Sequence, residues 1–172
     1  MERRFKDFLI RDWQVGDRTA AANVVKTVLT EYGLGWEVGC GGCSDQDAVD
    51  VEQNYWQTGG EFWVVERDGE IVGTGGYYPI ARSSAEKGSG NLNLKAVEIR
   101  KMYLLPSARR QGLGRYLLAQ LEQAAAAKGF SEVWVETATV LKEAVILYEK
   151  NGYSPSPAVE TERCDKAYFK CF

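Results

Sequence analysis

The sequence contains no histidine among its 172 residues, which removes the commonest general base and the commonest metal ligand of proteins. Any acid–base chemistry must therefore use carboxylates, tyrosine, lysine or cysteine. Positive charge is also in short supply, because 21 Lys and Arg residues stand against 24 Asp and Glu residues, for a net charge of −3. Nucleic-acid binders usually carry a basic patch or stripe, so this balance predicts no nucleic-acid partner.

Long hydrophobic runs are lacking as well. No apolar run approaches the length of about 20 residues that a membrane-spanning helix requires, and the stretch from Phe5 to Trp13 is mixed, unlike a secretory signal. We therefore expect a cytoplasmic protein without membrane contacts. The length is typical of one domain, and we expect residues 1–172 to form a single domain.

Cysteine occurs four times. Cys40 and Cys43 are separated by two glycines, a spacing that zinc sites and redox pairs share. Cys164 and Cys171 have six residues between them, which is a poor match to the second half of a zinc site. No thioredoxin-like pattern surrounds the first pair. We therefore predict reduced thiols and no metal.

The most informative stretch runs from Met102 to Leu121. A short apolar run stops at Pro106, as expected where a buried strand ends. After Gly114, apolar residues recur at three- and four-residue steps and indicate one buried face of a helix. Between strand and helix lie three arginines and two glycines, in residues 109–115. Glycines let the backbone approach an anion, and the first amides of a helix have no internal acceptors. This arrangement predicts a phosphate-binding loop, against the alternative of an ordinary loop with solvated arginines.

Two motifs carry a resemblance to a known family. Arg109-x-x-Gly112-x-Gly114 resembles the acetyl-CoA pyrophosphate loop of the GNAT N-acetyltransferase superfamily. The block from Ala144 to Tyr153, with Leu-Tyr-Glu at its centre, is similar to the next block of that family. A dinucleotide fold would need a third glycine where Leu117 stands, and the P-loop pattern does not occur. The resemblance covers about residues 60–155 well.

The order of predicted elements also matches that family. We predict the α/β (α+β) class and a GNAT fold, with a mixed, mostly antiparallel central sheet flanked by helices on both faces and splayed between the fourth and fifth strands. The fourth strand is predicted to bulge near Arg100 and Lys101, because its apolar pattern slips there.

The predicted elements of the first half are a strand within Phe5–Trp13, a helix from Asp17 to about Tyr32 with apolar Ala20, Val24, Val28 and Leu29, a glycine-rich loop at 33–43 and a helix from Ser44 to about Trp56. Strands at 61–67 and 70–80 follow, joined by Asp68-Gly69, and then a loop at 82–93. The remaining elements are strands at 95–105 and 131–136, a helix at 140–150, and strands at 153–156 and 164–172.

The resemblance implies acetyl-CoA as the cofactor. In the family, amides of the bulged strand receive the pantetheine arm and the thioester carbonyl, and the loop amides receive the pyrophosphate. The matching positions in this sequence are Met102, Tyr103 and Leu104 in the strand, and Arg109, Arg110, Gln111, Gly112, Leu113, Gly114 and Arg115 in the loop.

Three residues are candidates for catalysis. The resemblance implies that Tyr148 protonates or holds the CoA sulfur, whereas its residue pattern alone allows an ordinary core tyrosine. Glu98 stands where one branch of the family carries its general base, although it could also be a solvated carboxylate paired with Arg100. Glu136, at the end of the next strand, is the second candidate, as base or as recogniser of a cationic substrate.

The resulting hypothesis is acetyl transfer from acetyl-CoA to the primary amine of a small molecule. Two alternatives stay open: acetylation of a protein lysine or N-terminus, and a non-catalytic acyl-CoA-binding module. The acidic residues of the predicted helix after Ser44, namely Asp45, Asp47, Asp50 and Glu52, are read as a solvated surface, with an acidic wall for a cationic amine as the alternative. A homodimer is compatible with the exposed sheet edges of this fold.

Overall fold

The computed structural model describes residues 1–39, 45–81 and 96–172. Within these ranges the chain forms eight strands and three α-helices. The helices are α1 (Arg18–Glu31), α2 (Leu113–Ala127) and α3 (Lys142–Lys150). The strands are β1 (Glu2–Phe5), β2 (Phe8–Asp12), β3 (Glu61–Arg67), β4 (Glu70–Ile80), β5 (Ala96–Leu104), β6 (Glu132–Thr137), β7 (Ser154–Ser156) and β8 (Lys166–Cys171).

All eight strands belong to one sheet with the order β1-β2-β3-β4-β5-β6-β8-β7. Every neighbouring pair is antiparallel except β5 and β6, which run parallel. The parallel register ends where Ile99 faces Val135, although β5 continues to Leu104. The two strands therefore splay apart beyond Ile99. The predicted mixed, mostly antiparallel sheet is confirmed, and the gap lies between the two strands that the sequence indicated.

Helices cover both faces of the sheet. On one face, Trp63 and Val65 of β3 belong to a core that includes the apolar face of α2 and Tyr148 of α3. On the other face, Phe62 and Val64 pack with Trp13, Tyr55 and Ala21 of α1. Successive residues of β3 point alternately into the two cores. The sequence of this strand is therefore a continuous apolar run instead of an alternation of apolar and polar residues.

The N-terminal prediction of a single strand is wrong. β1 and β2 form an antiparallel hairpin in which Phe5 faces Phe8. Lys6 takes a positive φ of 54° in the two-residue turn between them. Tight hairpins usually place glycine or asparagine at such positions, so a lysine-aspartate turn leaves no sequence signal for the reversal.

The first helix begins and ends near its predicted limits, but two details differ. Ala20 is exposed, and Ala21 takes its place on the buried face. Asp17 does not cap α1 with its side chain. Its carboxylate instead accepts hydrogen bonds from the Arg11 guanidinium at 2.6 and 3.0 Å and from the Gln14 amide at 2.8 Å. At the other end, Gly33 has a φ of 69° and ends the helix as predicted.

The predicted helix from Ser44 to Trp56 is also wrong. The described part of this segment forms a 3₁₀ turn at Gln46–Ala48 and a π-helical turn at Glu52–Trp56. Asp45 and Asp47 are 0% and 7% exposed, so neither belongs to a solvated surface. Their carboxylates pair with cations of other elements, and these tertiary contacts override the local helical pattern.

The remaining elements follow the prediction closely. The β3–β4 hairpin has the predicted bounds, and Asp68 and Gly69 both have positive φ, at 53° and 81°. In β4, a Cβ atom on Gly76 would lie 2.7 Å from the Glu61 carbonyl oxygen, which confirms the expected close backbone approach. The last helix and the two terminal strands begin one or two residues inside their predicted limits.

Several predictions fall outside the described residues: the loop at 82–93, the start of a helix at Ser44, and the zinc or redox pair of Cys40 and Cys43. Cys164 and Cys171 are both free thiols. In the described ranges, no helix is both long and apolar enough to cross a membrane.

Candidate active site

A cavity of about 790 Å³ opens where β5 and β6 splay apart. The end of α1, the loop before α2, the outer half of β5, the end of β6 and α3 all contribute to its walls. Most of the predicted site residues line it, namely Glu98, Met102, Tyr103, Leu104, Arg109, Arg110, Gly112, Gly114, Arg115, Glu136 and Tyr148.

The loop before α2 has the backbone shape of an anion site. Arg110 and Gly112 have positive φ values of 59° and 84°. The first hydrogen bond of α2 runs from the Tyr116 amide to the Gly112 carbonyl, so the amides of residues 113–115 precede it. These amides lie at the positive end of the helix dipole and lack acceptors within the helix. The loop can therefore hold a phosphate group through its backbone.

Two predicted loop residues do not line the cavity. The Leu113 side chain is buried in the core, and Gln111 donates a hydrogen bond to the Ser107 carbonyl at 3.1 Å. The β1–β2 hairpin supports this side of the loop, because Lys6 donates to the Gln111 carbonyl at 2.7 Å and Phe5 stacks on Tyr116 at 4.6 Å between ring centroids. The contribution of residues 111 and 113 is therefore limited to their backbone and to packing.

Arg109 spans three elements at the edge of the cavity. Its Nε donates to the Leu104 carbonyl at 2.7 Å, and its two terminal nitrogens donate to the Glu31 carboxylate at 2.8 and 2.7 Å. The hydrogen bonds from Arg109 lower the pKa of Glu31. The guanidinium thus holds the end of α1 against the end of β5, beside the loop before α2.

The predicted bulge in β5 is present. Arg100 faces Gly76 and Tyr103 faces Thr74, so two residues of β5 oppose one residue of β4. Lys101 occupies the bulge with a φ of 51°. Beyond Ile99 no register with β6 continues, which leaves the cavity-facing edge of residues 102–104 without a strand partner in β6. Apart from the Leu104 carbonyl, which accepts the hydrogen bond from Arg109 Nε, backbone groups along this edge are available to a ligand.

Tyr148 projects from α3 into the base of the cavity and is 5% exposed. Its ring packs against Tyr153 and Tyr168 at centroid distances of 5.4 and 6.2 Å. Burial raises the pKa of Tyr148, and the nearby Tyr103, Cys164 and Glu98 add to this effect. Its phenol is therefore protonated at neutral pH and can act as a proton donor.

Glu98 lies on β5 and is 9% exposed, so it is not the solvated carboxylate that the simpler interpretation expected. One carboxylate oxygen lies 3.9 Å from Arg100 Nε, and the other accepts a hydrogen bond from the Tyr78 hydroxyl at 3.4 Å. Arg100 in turn donates to the Tyr78 hydroxyl at 2.8 Å. A partly buried carboxylate beside a cation and at the wall of a cavity is a suitable acceptor for a substrate proton.

Glu136 is half-buried at the end of β6. Its two carboxylate oxygens accept hydrogen bonds from the Glu160 and Thr161 amides, both at 2.8 Å. These bonds fix the segment before β8, which contributes Thr161, Arg163 and Cys164 to the cavity wall. Burial raises the pKa of the Cys164 thiol to about 11, so this thiol is protonated at neutral pH.

A buried charge cluster behind the cavity was missed by sequence reasoning. Asp45 pairs with Lys101 Nζ at 2.8 Å and accepts a hydrogen bond from Arg163 at 2.8 Å. Burial alone would raise the pKa of Asp45, but the Arg163 hydrogen bond and the Lys101 charge outweigh it and lower that pKa to about 2. Asp47 lies 3.2 Å from the same Lys101 nitrogen. The alternative of an acidic wall for a substrate amine fails for Asp45, because chain cations already occupy its carboxylate.

The cavity fits the expected cofactor. A loop with open amides and three arginines lies at one end, and the unpaired edge of a bulged strand leads from it to a buried carboxylate and phenol. A Cβ atom on Gly114 would lie at the ordinary van der Waals distances of 3.7 Å from Leu104 and 3.9 Å from Leu147, so the loop packs against the end of β5 and against α3 at this part of the wall.

Comparisons with known proteins agree with this geometry. The acetyltransferase (GNAT) family model matches residues 30–153. The Escherichia coli K12 protein called uncharacterized N-acetyltransferase YjgM is 35% identical over 145 residues, covering 84% of this chain and 81% of the relative. A GNAT-family acetyltransferase from Staphylococcus aureus Mu50 has a similar structure, with a TM-score of 0.77 at 16% identity over 95% of this chain and 98% of that one.

A third similar structure is the PaiA N-acetyltransferase of Thermoplasma acidophilum in complex with coenzyme A. It has a TM-score of 0.69 at 16% identity, over 96% of this chain and 99% of that one. The family model covers well over half of the sequence, and the relative from Escherichia coli covers most of it. The chain therefore belongs to the acetyltransferase (GNAT) family, and it is an N-acetyltransferase that uses acetyl-CoA.

Proposed function

We propose that this enzyme transfers the acetyl group of acetyl-CoA to the primary amine of a small-molecule acceptor by direct attack on the thioester. The observation that carries the proposal is that the cavity of about 790 Å³ joins the loop before α2 to Glu98 and Tyr148. A direct transfer needs both reactants in one cavity, with a base and an acid beside them.

The loop and the bulged strand are proposed to hold the cofactor. Amides of residues 112–115 would bind the pyrophosphate, with Arg110 and Arg115 adding charge-assisted donors at the exposed edge. Backbone groups of residues 102–104 would bind the pantetheine arm and the carbonyl oxygen. Arg109 is assigned to positioning, because Glu31 and Leu104 already accept its hydrogen bonds. Bound acetyl-CoA supplies an activated acetyl thioester.

Glu98 is proposed as the general base. An acceptor amine is protonated at neutral pH and must lose a proton before it can act as a nucleophile. The Glu98 carboxylate lines the cavity, with one of its oxygens 3.9 Å from Arg100 Nε. Glu98 would take the proton directly or through a water molecule.

Tyr148 is proposed as the general acid. Burial raises its pKa, so the phenol is protonated at neutral pH. The departing thiolate needs a proton, and Tyr148 would donate one to the sulfur as the C–S bond breaks. The acceptor ammonium loses two protons in forming the neutral amide: Glu98 would take the first and release it to solvent, and the second would restore the Tyr148 phenol after Tyr148 has protonated the sulfur.

Glu136 is proposed to shape the acceptor end of the cavity. Its two oxygens each accept a hydrogen bond from a backbone amide of the segment before β8, so both are engaged within the chain. Three cationic side chains at this end form ion pairs within the chain, namely Arg100, Lys101 and Arg163. A small amine is the acceptor that we propose for this end, with a protein segment as the alternative. The cytoplasmic location, the lack of a nucleic-acid partner and the homodimer stay predictions from sequence.

A panel of acceptors tests the proposal. The enzyme is incubated with acetyl-CoA and a mixed set of amino acids, polyamines, aminoglycosides and lysine peptides, and products are identified by mass. A gain of one acetyl group on a small amine supports the proposal. A gain on peptides alone would favour the protein-acetylating alternative. Binding of acetyl-CoA without turnover across the panel would favour a non-catalytic acyl-CoA binder.

A further inference from the structure

Lys101 occupies an unusual position for a lysine. It sits in the β5 bulge with a φ of 51°, in the left-handed region that residues with a Cβ seldom adopt. Its side chain is only 2% exposed. A buried ammonium is costly unless carboxylates surround it, so both the backbone and the side chain of this residue require support from elsewhere in the chain.

Two aspartates provide that support for the side chain. Lys101 Nζ lies 2.8 Å from Asp45 Oδ1 and 3.2 Å from Asp47 Oδ1. The Asp45 carboxylate is itself fixed, because it accepts hydrogen bonds from Arg163 and from the Glu37 amide at 2.9 Å. Because these hydrogen bonds fix the Asp45 carboxylate, it holds the Lys101 ammonium in one position.

The backbone of Lys101 is fixed as well. The Thr74 hydroxyl donates a hydrogen bond to the Lys101 carbonyl at 2.6 Å. This bond satisfies a carbonyl that the bulge removes from the regular hydrogen-bond ladder between β4 and β5. Immediately after Lys101 come the residues whose open edge lines the cavity. The direction of their amides depends on the backbone angles at the bulge.

We propose that Lys101 is a positioning residue for the cofactor: its ammonium, held by Asp45 and Asp47, keeps the β5 bulge in the conformation that directs the backbone of residues 102–104 into the cavity. The inference rests on the proposed cofactor site. Lys101 touches no reacting atom in this scheme and acts through the backbone that follows it.

The test compares two ligands on four proteins. Acetyl-CoA reaches both the loop and the bulged strand, whereas adenosine 3′,5′-bisphosphate carries phosphates for the loop and no pantetheine arm. Dissociation constants for both are measured by calorimetry on wild type, K101M, K101G and the control K170M. Lys170 makes a comparable 2.8 Å ion pair with Glu122, away from the cavity wall.

Loss of one or two backbone contacts should weaken acetyl-CoA binding to K101M by about tenfold, with binding of the bisphosphate unchanged. K101G should recover most of the loss, because glycine adopts positive φ without help, and K170M should match wild type. Hydrogen exchange at the amides of residues 102–104 should be faster in K101M than in K101G.

Equal acetyl-CoA affinity in wild type and K101M would overturn the inference, as would a K101G variant no better than K101M. Should K101M fail to fold, K101A takes its place, because alanine also lacks the ammonium and disfavours positive φ: weaker acetyl-CoA binding to K101A than to K101G supports the proposal, and equal affinity in wild type and K101A refutes it. Failure of the proposed cofactor site is a separate result, because then wild type itself would bind neither ligand.

Discussion

Asp45 is the residue whose replacement tests the charge cluster most directly. It is 0% exposed and pairs with both Lys101 and Arg163. Removing one member of a buried ion pair typically destabilises a protein by about 3–5 kcal/mol, because the partner charge is left uncompensated. In Asp45→Asn, Asp47 still faces Lys101, so we expect the lower end, about 3 kcal/mol at pH 7.

The pH dependence follows from the pKa of the same carboxyl. Folding lowers it from 3.8 to about 2, which corresponds to about 2 kcal/mol of stability at about 1.4 kcal/mol per pH unit. A carboxyl with a depressed folded-state pKa contributes this stability fully above its unfolded pKa and loses it as the pH falls through the folded pKa. The wild type should therefore lose about 1 kcal/mol of stability by pH 3. The Asp45→Asn variant should not, because asparagine does not titrate.

The assay is urea unfolding of wild type, Asp45→Asn and the control Asp50→Asn at pH 7, 5, 4 and 3. Asp50 is half-buried and accepts one hydrogen bond from Gln46, so its replacement should cost less than about 1 kcal/mol. The stability difference between wild type and Asp45→Asn should be constant from pH 7 to 5 and narrow by about 1 kcal/mol at pH 3. A difference that does not change with pH, or one no larger than that of the control, would refute the reasoning.

Three further substitutions test the site and the sheet. Tyr148→Phe should lower kcat by about 100-fold or more at saturating acetyl-CoA with little change in cofactor affinity; unchanged turnover would remove it as the acid. Glu98→Gln should abolish the low-pH limb of the pH–rate profile, and the same result with Glu136→Gln instead would reverse the assignment. Gly76→Ala places a Cβ 2.7 Å from a carbonyl oxygen and should cost about 1–3 kcal/mol in thermal or urea unfolding, whereas Gly16→Ala, with open space around its Cβ, should cost far less; equal losses would contradict the packing argument.

The features that sequence predicted well are encoded by neighbours along the chain. The loop before α2 has its glycines, arginines, preceding strand and following helix within a single stretch of about 20 residues, and the structure places this loop at the cavity. The bulge was visible because the apolar pattern of β5 slips at Arg100 and Lys101. Both signals are local, and local periodicity is what sequence patterns report.

The features that sequence missed depend on distant partners. Lys101 and Asp45 are 56 positions apart, and Arg163 and Asp45 are 118 positions apart. A charged residue looks the same in a sequence whether water or an opposite charge surrounds it, so the acidic run after Ser44 was assigned to the surface. The same limit hid the engagement of Arg109 with Glu31 across 78 positions.

The β1–β2 hairpin lies before residue 30, where the family match begins, yet Lys6 and Phe5 contact the loop before α2 and the first turn of that helix from outside the cavity. Loop stiffness can therefore be changed by substitutions in the first 12 residues that leave every cavity-lining side chain intact. A fusion tag joined to Met1 would be attached directly to this hairpin. Cofactor affinity should therefore be measured both with and without such a tag.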